Sequence, residues 1–190
     1  VRPADRIIIG DDAITDAPLV VTAITSVHDV PASMPPVRVR RYVPKQAGEQ
    51  GRYTGDDILI SSSAISPSLT MVHEFGHHVQ RYVFGDAATS DAFTDLRFAI
   101  ANTKLYRYFI AYESDLPAAA HTLRSKLRYN LQWKELFARA YAQWIATRSS
   151  APALIEAVRN KRATSQWTDA DFDEVGDELD RLFSRKGLMR

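Results

Sequence analysis

The order of apolar and polar positions divides the chain into a short mixed beginning and a long helical remainder. Residues 17–30 (APLVVTAITSVHDV) are rich in β-branched side chains, which favour strand, yet Val20, Ile24 and Val27 recur at helical spacing. The spacing predicts a helix with Pro18 in its first turn and Asp16 as N-cap, ending before the prolines at 31, 35 and 36. Two strand signals follow. Residues 37–43 (VRVRRYV) alternate apolar and basic over their first half, and residues 57–62 (DILISS) are short and β-branched. The connection contains Gly48, Gly51 and Gly55 and reads as hairpin-like, so the two strands are expected to pair antiparallel.

From Ser66 the period changes to that of a helix. Ser66 and Pro67 have the chemistry of an N-cap and a first helical residue. Leu69, Val72, Phe75, Val79 and Val83 then keep a spacing of three to four up to Gly85. Further helices are expected over 90–113, 134–147, 153–161 and 169–183, the last capped by Thr168 and followed by Gly187. These elements, without repeats or a convincing linker, predict one domain over 1–190. Its fold class is α+β, mostly α, with a small antiparallel sheet beside the helix that begins at Ser66.

Composition changes this picture in two places. There are 24 Lys+Arg against 23 Asp+Glu, a net charge of +1, which gives no reason to expect a nucleic-acid partner. The run Arg38-Val39-Arg40-Arg41 therefore reads as a solvated strand face. No apolar run is long enough to span a membrane, and no signal peptide opens the chain; Val1 in place of Met suggests a fragment of a larger protein. The cysteine count is zero, which excludes thiolate nucleophiles and every Cys-containing zinc site. Any transition metal must be held by His and carboxylate.

The candidate chemistry lies at His73-Glu74-Phe75-Gly76-His77, an H-E-x-x-H sequence inside the clearest helix. Residues four apart share a helix face, so both imidazoles can meet one ion at about 2.0–2.1 Å. Glu74 then projects beside the ion, where it can take a proton from water. Gly76 leaves room for close approach of another backbone or of a metal ligand. A catalytic zinc site needs a third protein ligand. A His six residues after His77 is absent, because that position is Val83, and a Glu twenty residues on is absent, because that position is Arg97. Asp91, Asp95 and His121 are weak candidates. Glu135 is the stronger one: it opens the segment WKELFARAYAQW, whose small and aromatic residues suit tight packing against another helix. His78 points about 100° from His77 and reads as a buried structural or supporting residue, and His28, beside Asp29 at a helix end, as structural.

HEFGHH followed by KELFARAYAQWI resembles the zincin fold of gluzincin type. It is similar to metallopeptidase domains of bacteriophage and prophage structural or polyvalent proteins, and more distantly to the catalytic domain of anthrax lethal factor. The resemblance spans residues 53–146. It implies Glu135 as third zinc ligand beside His73 and His77, Glu74 as general base, and Tyr129, six residues before Glu135, as donor to the oxyanion. One departure stands out: the family pattern has an acidic residue four after the ligand Glu, where this chain has Arg139.

The expected function is that of a zinc-dependent metallopeptidase, acting on a peptide or protein as part of a phage-type polypeptide. That origin would place it in a virion or host cytoplasm. Strand 57–62 is the expected edge to which an extended peptide would add. The alternative, from a different class, is a non-catalytic structural or interaction domain that keeps zinc to stabilise a zincin scaffold. An intact Glu74 argues against it, because a structural site needs no base.

Overall fold

A computed structural model of the chain describes residues 6–46, 48–161 and 165–190. Val1, on which the expectation of a fragment rests, lies outside the described residues. The chain enters through strand β1 (Ile7–Ile9), helix α1 (Ala17–Val27) and strands β2 (Val37–Tyr42), β3 (Gly51–Tyr53) and β4 (Asp57–Ser61). Helix α2 (Pro67–Val79) follows and continues into a π-helical turn, Gln80–Phe84. A 3₁₀ turn (Asp91–Phe93) then leads into α3 (Thr94–Asn102), α4 (Lys104–Asp115), α5 (His121–Asn130), α6 (Trp133–Ser149), α7 (Pro152–Lys161) and α8 (Asp169–Arg185). The class is α+β, mostly helical. No helix among the described residues is long and apolar enough to cross a membrane.

The sheet is mixed, not antiparallel as expected. Its order is β1-β2-β4-β3; β1 and β2 pair parallel, β2 and β4 pair parallel, and only β3 runs antiparallel to β4. The reason lies in the glycine-rich connection. Its last part is itself a strand, and the turn through Thr54, Gly55 and Asp56 reverses the chain from β3 into β4. Gly55 takes φ +104°, a left-handed conformation that suits glycine. A hairpin thus stands where a simple loop was expected, and β4 is left parallel to β2. It follows that β4 is an interior strand and that β3, like β1, is an edge, which corrects the expected peptide-adding edge. One face of the sheet is covered: Val37 and Val39 of β2 and Ile58 and Ile60 of β4 are buried, while Arg38 and Arg40 face outward.

Helix α2 lies between this sheet and α6. Its first turn carries Pro67, as the sequence suggests, and its π-helical extension stops at Gly85, whose φ is +88°. Gly76 is the point of closest approach to α6. A Cβ there would lie 3.0 Å from Tyr141 Cδ1 and 3.2 Å from Ala138 Cα, so only glycine lets the helices meet at this distance. Phe75, Phe137, Tyr141 and Trp144 are fully buried around this contact, and Phe183 of α8 closes it, 4.6 Å from the Trp144 ring. His28, at the end of α1, is sealed into the same core. Its Nδ1–H donates to the Asp29 carbonyl (2.8 Å), which leaves Nε2 to accept the Tyr141 hydroxyl (2.6 Å).

The helix expected over 90–113 is three pieces. Thr103 breaks it in extended conformation (ψ 149°), and its hydroxyl accepts the Tyr106 N–H. The carboxylate of Asp171, far away in sequence on α8, accepts the next orphan donors, Lys104 N–H (2.8 Å) and Leu105 N–H (3.1 Å). A tertiary cap of this kind leaves no local signal.

Candidate metal centre

The residues that converge come from α2 and α6, held together by the Gly76 contact. His73 and His77 stand one turn apart on the exposed side of α2, their rings 4.9 Å apart and nearly perpendicular. His73, Glu74 and His77 form a group whose potential ligand atoms all lie within 4.8 Å of one another and could hold a metal ion. Glu135, in the first turn of α6, reaches both rings. Its Oε2 is 3.4 Å from His73 Nε2 and its Oε1 is 3.6 Å from His77 Nε2. These separations are longer than the 2.7–3.2 Å of a good N–H···O bond. They approach the ligand–ligand edge of a tetrahedron around an ion with bonds of about 2.0–2.1 Å, which is about 3.3 Å.

The electrostatics suit the same reading. Burial and the neighbouring His73 push His77 down to about 3, so its ring is neutral and its nitrogen lone pair is free to ligate. Burial pushes Glu135 up, but His73, His77 and Tyr129 outweigh it and hold the carboxyl down at about 2. Glu74 behaves in the opposite way: burial raises it to about 7, against the pull of His73. A carboxyl poised near neutrality is what proton transfer at neutral pH requires.

Glu74 is also wedged against the edge strand, which the sequence did not suggest. A Cβ on Gly51 would lie 2.5 Å from Thr70 Cγ2 and 3.0 Å from Glu74 Oε1, so β3 can lie this close to α2 only with glycine here. The nearby Tyr53 backbone of the same strand lowers the Glu74 carboxyl, against the larger effect of burial. The strand is pinned from its other end by His78, the third histidine of α2. His78 is fully buried; its Nε2–H donates to the Pro35 carbonyl (2.9 Å), and its Nδ1 contacts the Tyr53 hydroxyl (2.9 Å). Gly51 sits in a connection noted only for its turn chemistry, and the one available signal was its place among three glycines.

A cleft of about 950 Å³ opens over the group, lined on one side by residues of β3 and the loop before it. The other side is formed by Lys126, Tyr129, Lys134, Glu135 and Arg139 of α5 and α6. Tyr129 is half exposed; burial and the adjacent Glu135 carboxylate push its phenol up, so it stays a proton donor. Arg139 is buried one turn beyond Glu135. Burial lowers its guanidinium to about 10, opposed by the nearby Glu135 and Tyr129. Its Nη2 donates to the Asn130 carbonyl at the end of α5, and its Nη1 has no hydrogen-bond partner.

The weaker candidates are elsewhere. Asp95 ion-pairs with Arg185 of α8 at 3.0 Å, while Asp91 is exposed in the 3₁₀ turn and His121 is exposed at the start of α5. None of the three lines the cleft. Compared with protein-family models, with curated proteins and with solved structures, the chain matches none.

Proposed function

We propose that this domain is a zinc-dependent metallopeptidase, with His73, His77 and Glu135 as metal ligands and Glu74 as general base. The observation that carries the reading is the placement of Glu135, whose two oxygens stand 3.4 and 3.6 Å from the two imidazole nitrogens at near-tetrahedral spacing. Three N/O donors with an open side toward a cleft match a catalytic zinc site, and no cysteine is needed. The resemblance of the two-part motif to phage-type gluzincin domains supports the same ligand set.

Zinc, when bound, supplies Lewis acidity toward water and the scissile carbonyl. The chain's own residues do the rest. Glu74, packed against Gly51 of β3, accepts the proton of the attacking water and returns it to the leaving amine. Tyr129, protonated and at the mouth of the cleft, donates to the developing oxyanion. The free side of β3 offers main-chain groups to an extended peptide beside Glu74.

The test is zinc content together with hydrolysis of a fluorogenic peptide library. The expected result is about one zinc per chain, and a Glu74→Gln variant that keeps its zinc but loses about 10²–10⁴ in kcat. Absence of zinc, or cleavage indifferent to Glu74, would overturn the proposal.

A further inference from the structure

Arg124 and Arg128 of α5 both reach Glu113 of α4, at 3.5 and 2.8 Å. Lys126, on the same helix, lines the cleft instead and has no acidic partner among the described residues. Lys134 repeats the pattern on α6. It occupies the first helical turn, where the helix dipole disfavours a cation, and its ammonium lies 5.8 Å from the centre of the Tyr129 ring. Behind them Arg139 is buried with Nη1 unpartnered, a donor that a folded chain ordinarily satisfies. The facing wall is different: Glu49 is already neutralised by Arg52 at 2.7 Å. Arg81 and Asp86 beyond α2 and Lys161 of α7 also line the cleft, so the α5–α6 wall is distinguished by two exposed lysines, Lys126 and Lys134, beside the site.

We propose that the α5–α6 wall, through Lys126 and Lys134 with Arg139 behind them, is a subsite for a carboxylate of the bound peptide. This names the substrate class of the metallopeptidase site and rests on that reading for its location. An acidic side chain and a free C-terminus present the same group, and both would meet two mobile ammonium groups at the cleft surface. Arg139 acts through the wall as a positioning residue, holding the Asn130 carbonyl and so the end of α5 that carries Lys126 and Tyr129.

The probe is a set of fluorescein-labelled decapeptides carrying Glu, Gln or Lys at each position in turn, with free or amidated C-termini. Binding to the zinc-loaded Glu74→Gln chain is read by anisotropy, and cleavage by the wild type is read separately. Peptides with a suitably placed Glu, or with a free C-terminus, are expected to bind about tenfold tighter than their Gln or amide counterparts. Which of the two sets shows the gain identifies the source of the carboxylate. Lys126→Gln combined with Lys134→Gln removes the preference, and Lys126→Glu combined with Lys134→Glu reverses it toward Lys peptides. Both pairs change exposed positions, so folding is checked by an unchanged thermal midpoint. Equal binding of Glu and Gln peptides, or a single-stranded oligonucleotide binding more tightly than any acidic peptide, would overturn the proposal. Acid-selective binding without any cleavage would sink the peptidase reading and leave the subsite standing.

Discussion

Adding one methyl group at Gly51 tests how the general base is held. The new Cβ would stand 2.5 Å from Thr70 Cγ2 and 3.0 Å from Glu74 Oε1, against an ordinary carbon–carbon contact of about 3.5–4.0 Å. About 1 Å must be recovered. Thr70 is buried and β-branched on a helix, so it has little rotamer freedom, and the edge strand β3 is the element free to yield. The stability cost should lie at the low end of the range for overpacking, about 1 kcal/mol, or a fall of about 2–4 °C in thermal midpoint. Catalysis should suffer more. Moving the wall behind Glu74 by this distance shifts the base relative to substrate and should lower kcat by about 10–100-fold. Zinc affinity, read by competition with a chromophoric chelator, should stay within about threefold of wild type, because the atoms nearest a Cβ at Gly51 belong to Thr70 and Glu74. Hydrolysis by Gly51→Ala at the wild-type rate would show that β3 does not position Glu74.

Other expectations follow from the same geometry. Glu135→Gln keeps the shape of the side chain but removes its charge, and zinc affinity should fall by at least about 100-fold in the chelator competition. Unchanged affinity would remove Glu135 from the ligand set. Gly76→Val forces α2 from α6 at Tyr141 and the Ala138 backbone; a cost of about 1–3 kcal/mol should lower the thermal midpoint by about 2–12 °C. An unshifted midpoint would mean that the helices do not meet there. His28 is buried, and burial lowers it from 6.5 to about 4. Its neutral form is favoured by folding, so its contribution is complete above pH 6.5 and is lost as pH falls toward 4, by on the order of 3 kcal/mol. Urea unfolding of the zinc-free chain should therefore weaken with acid more steeply than that of His28→Gln, and parallel pH profiles would contradict the assignment.

What the sequence made legible was whatever rests on local period. The helices at α1, α2, α6, α7 and α8 are marked by their apolar spacing, and α2 also by its terminal residues Pro67 and Gly85. His73, Glu74 and His77 share a helix because their spacing requires it, and the small residues of α6 announced a close helix contact that Gly76 completes. What escaped depends on partners distant in sequence. The break at Thr103 is capped by Asp171, and α5 buries only Leu127, so it lacks an apolar stripe. The strand β1 is three isoleucines of which only Ile7 is buried. The parallel pairing of β2 with β4 was hidden by a strand of three residues within a glycine-rich connection, and with it the role of Gly51 beside Glu74. The basic character of the α5–α6 wall was invisible for a similar reason: it depends on which cations Glu113 neutralises and which it leaves.

Anomalous diffraction at the zinc absorption edge, from crystals of the zinc-loaded chain, locates the ion directly. One ion is expected at about 2.0–2.2 Å from Nε2 of His73, Nε2 of His77 and a carboxylate oxygen of Glu135, with its remaining position open to the cleft. Glu74 should be beside the ion without ligating it. A zinc held elsewhere, or one bound to both imidazoles with Glu135 more than about 4 Å away, would contradict it.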